Sequence, residues 1–251
     1  MKINKLFILV LLLIISKIGF CQSKLQYAKA KVSYVINIHF DKSKKIYEVY
    51  EKYRPGLVAE AESIASELDF SLILNDSISV FYLEKKLFSD NRAASFAIRK
   101  SGYYGRIKQQ PHNYITEELQ ESFGEFLVSR PYHEWELQDE TKVIGDYTCF
   151  KATTSYTTTN PKGKAFNHSF TAWYTPQLPY SFGPAGFGDL PGLIIELQSD
   201  DYTYGVKKIK FFDKEQKNKE NEIPRLKRKK LITEEEFEKL AAEDEKRWRK
   251  D

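Results

Sequence analysis

Sulfur is nearly absent from this sequence. Its 251 residues hold two cysteines and one methionine, too few for a disulfide-stapled miniature, a cysteine-rich zinc module or an iron–sulfur carrier. No apolar run approaches the roughly 20 residues that a helical membrane span needs. There is no GxSxG nucleophile elbow, no GxGxxG leading into a helix and no Walker lysine, so three common enzyme signatures are missing. Histidine is sparse: His39, His112, His133 and His168 stand in unrelated contexts. His133–Glu134 opens like a zinc-protease helix, but Leu137 occupies the place of the second histidine. No metal-binding or cofactor-binding pattern is present.

Aromatic residues are plentiful, at 14% of the chain, and such a supply favours strands over a helical bundle. With 41% hydrophobic and 29% charged residues, the composition is that of a globular protein.

The N-terminus reads as an export signal, residues 1–21. Lys2 and Lys5 precede the unbroken apolar run Leu6 to Ile15, a layout too short to span a bilayer and typical of a cleaved leader. Gly19 and Cys21 supply small residues at −3 and −1 of a cut before Gln22. Lipid anchoring at Cys21 is the minority alternative, since Ile18 and the bulky Phe20 fit a lipoprotein signal poorly. Cleavage removes Lys2, Lys5, Lys17 and no acid, so the formal charge falls from +4 to +1. A near-neutral exported chain is a poor nucleic-acid binder. It also keeps a single cysteine, Cys149, which reads as a small buried hydrophobe and not as a nucleophile.

Residues 22–213 read as one β-rich unit. Val32, Tyr34, Ile36, Ile38 and Phe40 alternate, as do Leu68, Phe70, Leu72 and Leu74, giving period-two faces. Asn75–Asp76–Ser77 then turns the chain into a returning strand from Ile78. The stretch Ile46 to Ser66 is ambiguous, with a helix suggested from Val58 to Leu68. Gly102 to Gly105 and Gln109 to Asn113 read as irregular or edge structure, and Thr116 to Phe123 as a short helix. Strands follow at Phe126 to Ser129, Tyr147 to Thr158, Phe166 to Thr175, Leu193 to Leu197 and Tyr202 to Phe212, with a turn at Asn160–Pro161–Lys162–Gly163. Together these predict a mainly β fold built on an antiparallel sheet.

Residues 214–251 differ in kind: 24 of these 38 residues are charged, and they read as a charged linker and terminal helix. Thr233 and Glu236 form a capping-box pair, and Phe237, Leu240, Ala241 and Trp248 give one apolar stripe. The basic run Arg225 to Lys230 reads as solvated, its charge repaid by neighbouring acids.

The sharpest feature is the segment Tyr174 to Leu197. Gly183, Gly186, Gly188 and Gly192 interleave with Pro179, Pro184 and Pro191. Proline stiffens such a loop while glycine reaches backbone angles closed to other residues, so the pairing specifies one shape. Gly183, Pro184, Gly188, Pro191 and Gly192 are its shaping residues. Trp173, Tyr174, Phe182, Phe187, Asp189 and Leu190 are the candidate ligand contacts; buried, the aromatics would instead anchor the loop to the sheet. Asp189 reads either as a carboxylate shown to a ligand or as a turn residue bonding nearby amides.

With Gly188–Asp189–Leu190–Pro191–Gly192–Leu193–Ile194, the chain resembles the GLPGLI family of exported Bacteroidetes proteins, one Asp being inserted relative to the name. Thr141 to Ala152 is similar to the family's TK-x-I-x-x-Y-x-C-x-KA stretch, and Ala172–Trp173–Tyr174–Thr175 to the AWYT before the loop. The resemblance covers Thr141 to Leu197 and implies no activity. A weaker, fold-level likeness is to periplasmic lipoprotein carriers, whose curved half-barrel holds acyl chains.

The function expected is an exported (periplasmic or extracellular) β-rich binding module for a lipid, a peptide or another envelope protein, without nucleic acid and without a transmembrane span in the mature chain. The alternatives are an exported hydrolase using acids near Asp189 with a histidine such as His168, or a structural part of an envelope assembly. A concave cavity above about 300 Å³ beneath the loop would favour carriage; histidine and carboxylate converging within hydrogen-bond reach would favour catalysis.

Overall fold

Period-two alternation builds the centre of the molecule. The computed structural model describes residues 29–84, 91–120, 122–159, 164–213 and 219–248; the leader with Cys21 and the Asn160–Gly163 turn lie outside them. β1 (Lys29–Ile38) buries Ala30, Val32, Tyr34, Ile36 and Ile38 on one face. It pairs antiparallel on one side with β2 (Asp69–Leu74), which returns as β3 (Ser79–Leu83). On its other side lies β11 (Tyr202–Phe212), hairpin partner of β10 (Leu193–Ser199).

The meander continues in both directions. From β3 it runs through β4 (Ile107–Gln110), β5 (Asn113–Gln120) and β6 (Gly124–Pro131). From β10 it runs through β9 (Ala165–Thr175) and β8 (Tyr147–Thr159) to β7 (Glu136–Ile144). With β12 (Lys230–Thr233), twelve strands among the described residues form one sheet, in the order β12-β6-β5-β4-β3-β2-β1-β11-β10-β9-β8-β7. All pairs are antiparallel except β12 on β6. The fold is mainly β, as the alternation predicts.

The order of strands forces the sheet to curl. β6 and β7 stand ten places apart in it, which in a flat sheet would separate them by roughly 48 Å. Yet only residues 132–135 join them, a tether that reaches roughly 18 Å when fully extended. The two flanks of the sheet must therefore face each other across a hollow. His133, in the tether, stacks on Tyr156 of β8 with ring centres 4.4 Å apart and planes 6° from parallel.

Three helices share the inner side: α1 (Lys45–Tyr53), α2 (Leu57–Ala65) and α3 (Arg92–Lys100). Small buried residues (Ala61, Ala65, Ala93, Ala97) let α2 and α3 approach closely. Asn91 caps α3, its side-chain oxygen accepting from the Ala94 amide at 2.9 Å, which satisfies a donor the helix start leaves free. At the far end the Tyr204 hydroxyl of β11 donates to the Ser101 carbonyl at 2.9 Å. Beneath lies an aromatic centre: Phe70 and Phe81 stack at 5.4 Å, and Tyr204 meets both edge-on at 5.2 and 5.6 Å.

Two expectations are corrected. Thr116 to Phe123 is not helical, because Thr116 to Gln120 belongs to β5. Gln109–Gln110 and Asn113 are not edge structure; β4 lies inside the sheet and turns into β5 through Pro111–His112, with His112 at φ 71°. Polar residues point inward on both strands, which hides the alternation. The ambiguous stretch from Ile46 resolves into α1 and α2, and the terminal helix is α4 (Glu234–Trp248). Its capping box is formed: the Thr233 amide donates to the Glu236 carboxylate at 2.9 Å, and the Glu236 amide to Thr233 Oγ1 at 3.2 Å.

Candidate functional site

The Gly/Pro segment between β9 and β10 folds into the hollow and fastens its two flanks together. Its own backbone starts the work: the Leu193 amide donates to the Leu178 carbonyl at 2.9 Å and the Ile194 amide to the Phe182 carbonyl at 3.1 Å. From the opposite flank, Gln109 of β4 is fully buried and its amide donates to the Phe187 carbonyl at 2.8 Å. Gln109 Oε1 accepts from Ser79 at 2.9 Å and the Gly183 amide at 3.4 Å. Trp135, in the tether, donates from Nε1 to the Gly188 carbonyl at 2.9 Å.

Glycine is required here for space as much as for angle. A Cβ on Gly192 would lie far inside contact distance of the Thr175 carbonyl oxygen. Gly186, at φ 87°, lies against the Tyr114 ring of β5. Ala185 (φ 53°) and Asp189 (φ 65°) also take left-handed angles, which cost a non-glycine residue energy unless the surroundings hold it.

Below the loop lies a cavity of about 1210 Å³. Phe187 and Ala185 of the loop border it, with Tyr156, His168 and Phe170 from β8 and β9 on one flank and Tyr114, Thr116, Glu118 and Arg130 from β5 and β6 on the other. α1 and the residue that follows it contribute Tyr50 and Arg54, and α3 contributes Arg92, Ser95, Phe96 and Arg99. One flank is a continuous run of rings: Tyr156 lies 5.7 Å from Phe170, and Phe170 4.5 Å from Phe187. The other carries a buried polar knot. The Arg130 guanidinium contacts Glu118 at 3.1 Å, Glu234 at 3.2 Å and the Thr116 hydroxyl.

Of the six candidate ligand contacts only Phe187 borders this space; His168, the histidine of the hydrolase alternative, borders it too. Trp173 is buried on the opposite side of the sheet, beneath Lys142, whose Nζ stands 4.2 Å from its ring centre and 2.7 Å from Glu196. Tyr174, Phe182 and Leu190 are buried in the core. Gly183, Pro184, Gly188 and Gly192 shape the loop, and Pro191 is exposed beside them. Asp189 is exposed; its amide donates to the Ser181 carbonyl at 2.9 Å, and its carboxylate accepts no hydrogen bond among the described residues. What places it in the turn is its backbone conformation and not the amide-bonding side chain expected of it. The cavity arginines escape a sequence reading, although Arg92, Ser95 and Arg99 do recur at the spacing of one helical face.

Among the described residues the titratable groups assemble no histidine–carboxylate pair. Burial pushes the His133 imidazole below its ordinary value, with Glu234 opposing, so the ring that stacks on Tyr156 is neutral at pH 7. His168 Nε2 lies 2.8 Å from the Thr158 hydroxyl. His39 lies 3.3 Å from both the Asp200 carbonyl and the Thr203 hydroxyl. Among the described residues no carboxylate hydrogen-bonds a histidine, and no group of three or more His, Cys, Asp or Glu is placed to hold a metal ion. Burial raises the Cys149 thiol, against the pull of Lys142, which leaves a poor nucleophile. Tyr114 and Tyr202, beside the cavity, are also raised by burial and remain neutral phenols.

Residues 135–170 and 163–196 match the model of a family described as "Protein of unknown function (Porph_ging)". Residues 135–196, the matched stretch, include the Gly188–Ile194 motif of the GLPGLI resemblance. They comprise β7, β8, β9, the loop and most of β10, which is the flank and plug of the cavity. No curated protein matches the sequence. Two solved structures are similar in fold: "Structure of PNGF-II in C2 space group" (13% identity, TM-score 0.49, 86% of this chain and 33% of that one) and "Structure of PNGF-II in P21 space group" (12%, 0.48, 86% and 34%). The chain spans about a third of their length. Among the described residues no helix is long and apolar enough to cross a membrane.

Proposed function

We propose that this protein is an exported β-rich binding module whose cavity holds an apolar or amphipathic ligand, a lipid or a peptide segment. The observation that carries this reading is the hollow itself. At about 1210 Å³ it exceeds the roughly 300–1,000 Å³ of ordinary small-molecule sites, room enough for an extended chain. A curled sheet would ordinarily close on its own side chains; here a ring-lined flank faces a polar flank across open space. Phe187 and Ala185 are the loop residues that would touch the ligand, while Trp173, Tyr174, Phe182 and Leu190 hold the loop in place. Export is supported by the basic, then apolar, then small-residue layout of the first 21 positions.

Native mass spectrometry of the protein purified from its own envelope fraction tests this reading. A lipid or peptide mass retained at one per chain is the expected result. Bare protein, or protein with only a stoichiometric folded partner, would remove the carrier reading and favour a role in assembly.

A further inference from the structure

We infer that the cavity selects an anionic amphiphile: one carboxylate or phosphate head on an apolar body. This rests on the cavity reading above and adds the chemistry of the head. Six Lys or Arg side chains border the cavity against three carboxylates (Glu118, Asp200 and Asp201), an excess of three where the entire chain carries only +4. Charge is thus gathered at this one place.

The pairing within that set decides which cations are available. Arg130 is spent on Glu118 and Glu234, at 3.1 and 3.2 Å. Lys44 lies 3.5 Å from Asp201, and Lys100 lies over the Tyr47 ring at 5.4 Å. That leaves Arg54, just past the end of α1, with Arg92 and Arg99 on α3. None of these three has an ion-pair partner among the described residues, and all border the cavity. Three guanidiniums offer forked donors that match the geometry of a carboxylate or phosphate. Across the hollow, Tyr156, Phe170 and Phe187 offer an apolar wall. An uncharged lipid would leave the arginines unused, and a cation would be repelled by them.

The test is calorimetric titration of the purified full chain with dodecanoate, dodecyl phosphate and uncharged N-methyl dodecanamide, each below its micelle threshold. The expected result is one site per chain, with at least one of the two anions binding about tenfold or more tighter than the amide. A preference between the two anions supports the inference and tells which head is native. Replacing Arg54→Gln, Arg92→Gln and Arg99→Gln together should bring the anions to the affinity of the amide and leave the amide unchanged. All three residues are exposed, so folding should survive; the anion-to-amide ratio of the unmodified chain tests the inference on its own if it does not. Equal binding of amide and anions by the unmodified chain, or a preference that survives the triple change, would overturn head selection while leaving the cavity as a carrier. No binding by any of the three probes would overturn the carrier reading and this one together.

Discussion

Gln109 shows how one polar side chain replaces a patch of core. It is fully buried in β4 and satisfies three groups on two other segments: the Ser79 hydroxyl, the Phe187 carbonyl and the Gly183 amide. A buried polar group left without a partner costs about 1–3 kcal/mol, and the groups here share one partner. Gln109→Leu keeps the volume and removes the bonds, so the expected loss is about 2–3 kcal/mol in urea unfolding, with the Gly183 amide exchanging faster than its neighbours. A loss below about 0.5 kcal/mol would mean that water takes over those partners and that the loop is held by its own backbone alone. This residue was illegible beforehand, since one of two adjacent glutamines in a short polar run gives no sign of facing inward.

Elements were legible where one face is apolar and the other wet. β1 and the β2–β3 hairpin alternate in sequence, while the β8–β9 and β10–β11 pairs are marked by β-branched and aromatic runs between turn residues, and each pairs as those signals imply. The failures cluster on β4 and β5, where buried Gln109, Thr116 and Glu118 occupy inward positions that apolar residues would otherwise mark. Charge inside a strand is tolerable only when another element repays it, and periodicity cannot see that partner. On β5 and β6 the repayment is Arg130, whose guanidinium joins Glu118 and Thr116 to Glu234 at the start of α4. Breaking a largely buried pair from one side strands the remaining charge. Arg130→Met is therefore expected to cost about 3 kcal/mol near pH 7, and adding Glu118→Gln should restore about half of that or more, because it removes the stranded charge. Strictly additive losses in the double variant would show that the two side chains contribute independently and that α4 is held by Phe237 against Phe123 and Phe126 instead.

At the scale of the whole molecule, the cavity exists because the sheet curls, and two devices could hold the curl. One is the tether 132–135 between β6 and β7; the other is the Gly/Pro plug, continuous with β9 and β10 on one flank, bonded to Gln109 on the other, and bonded also to Trp135 of the tether. The plug was legible as a rigid loop but not as a fastener, because its partners lie more than 50 residues away in sequence. The cavity lining was not legible either, being collected from at least three helices and four strands. Physical magnitudes separate the two devices. Lengthening a loop costs only about 0.6 kcal/mol per doubling, whereas the plug brings several buried hydrogen bonds and the packing of Phe182, Phe187 and Leu190. Inserting six Gly/Ser residues after the exposed Glu134 should therefore lower stability by about 1 kcal/mol and leave probe binding in the cavity unchanged. If the tether carried the curl, the same insertion would open the hollow: binding would vanish, and small-angle scattering would show an expanded particle. The short connection would then be a cause of the cavity, whereas the hydrogen-bond inventory makes it a consequence of flanks that the plug already holds together.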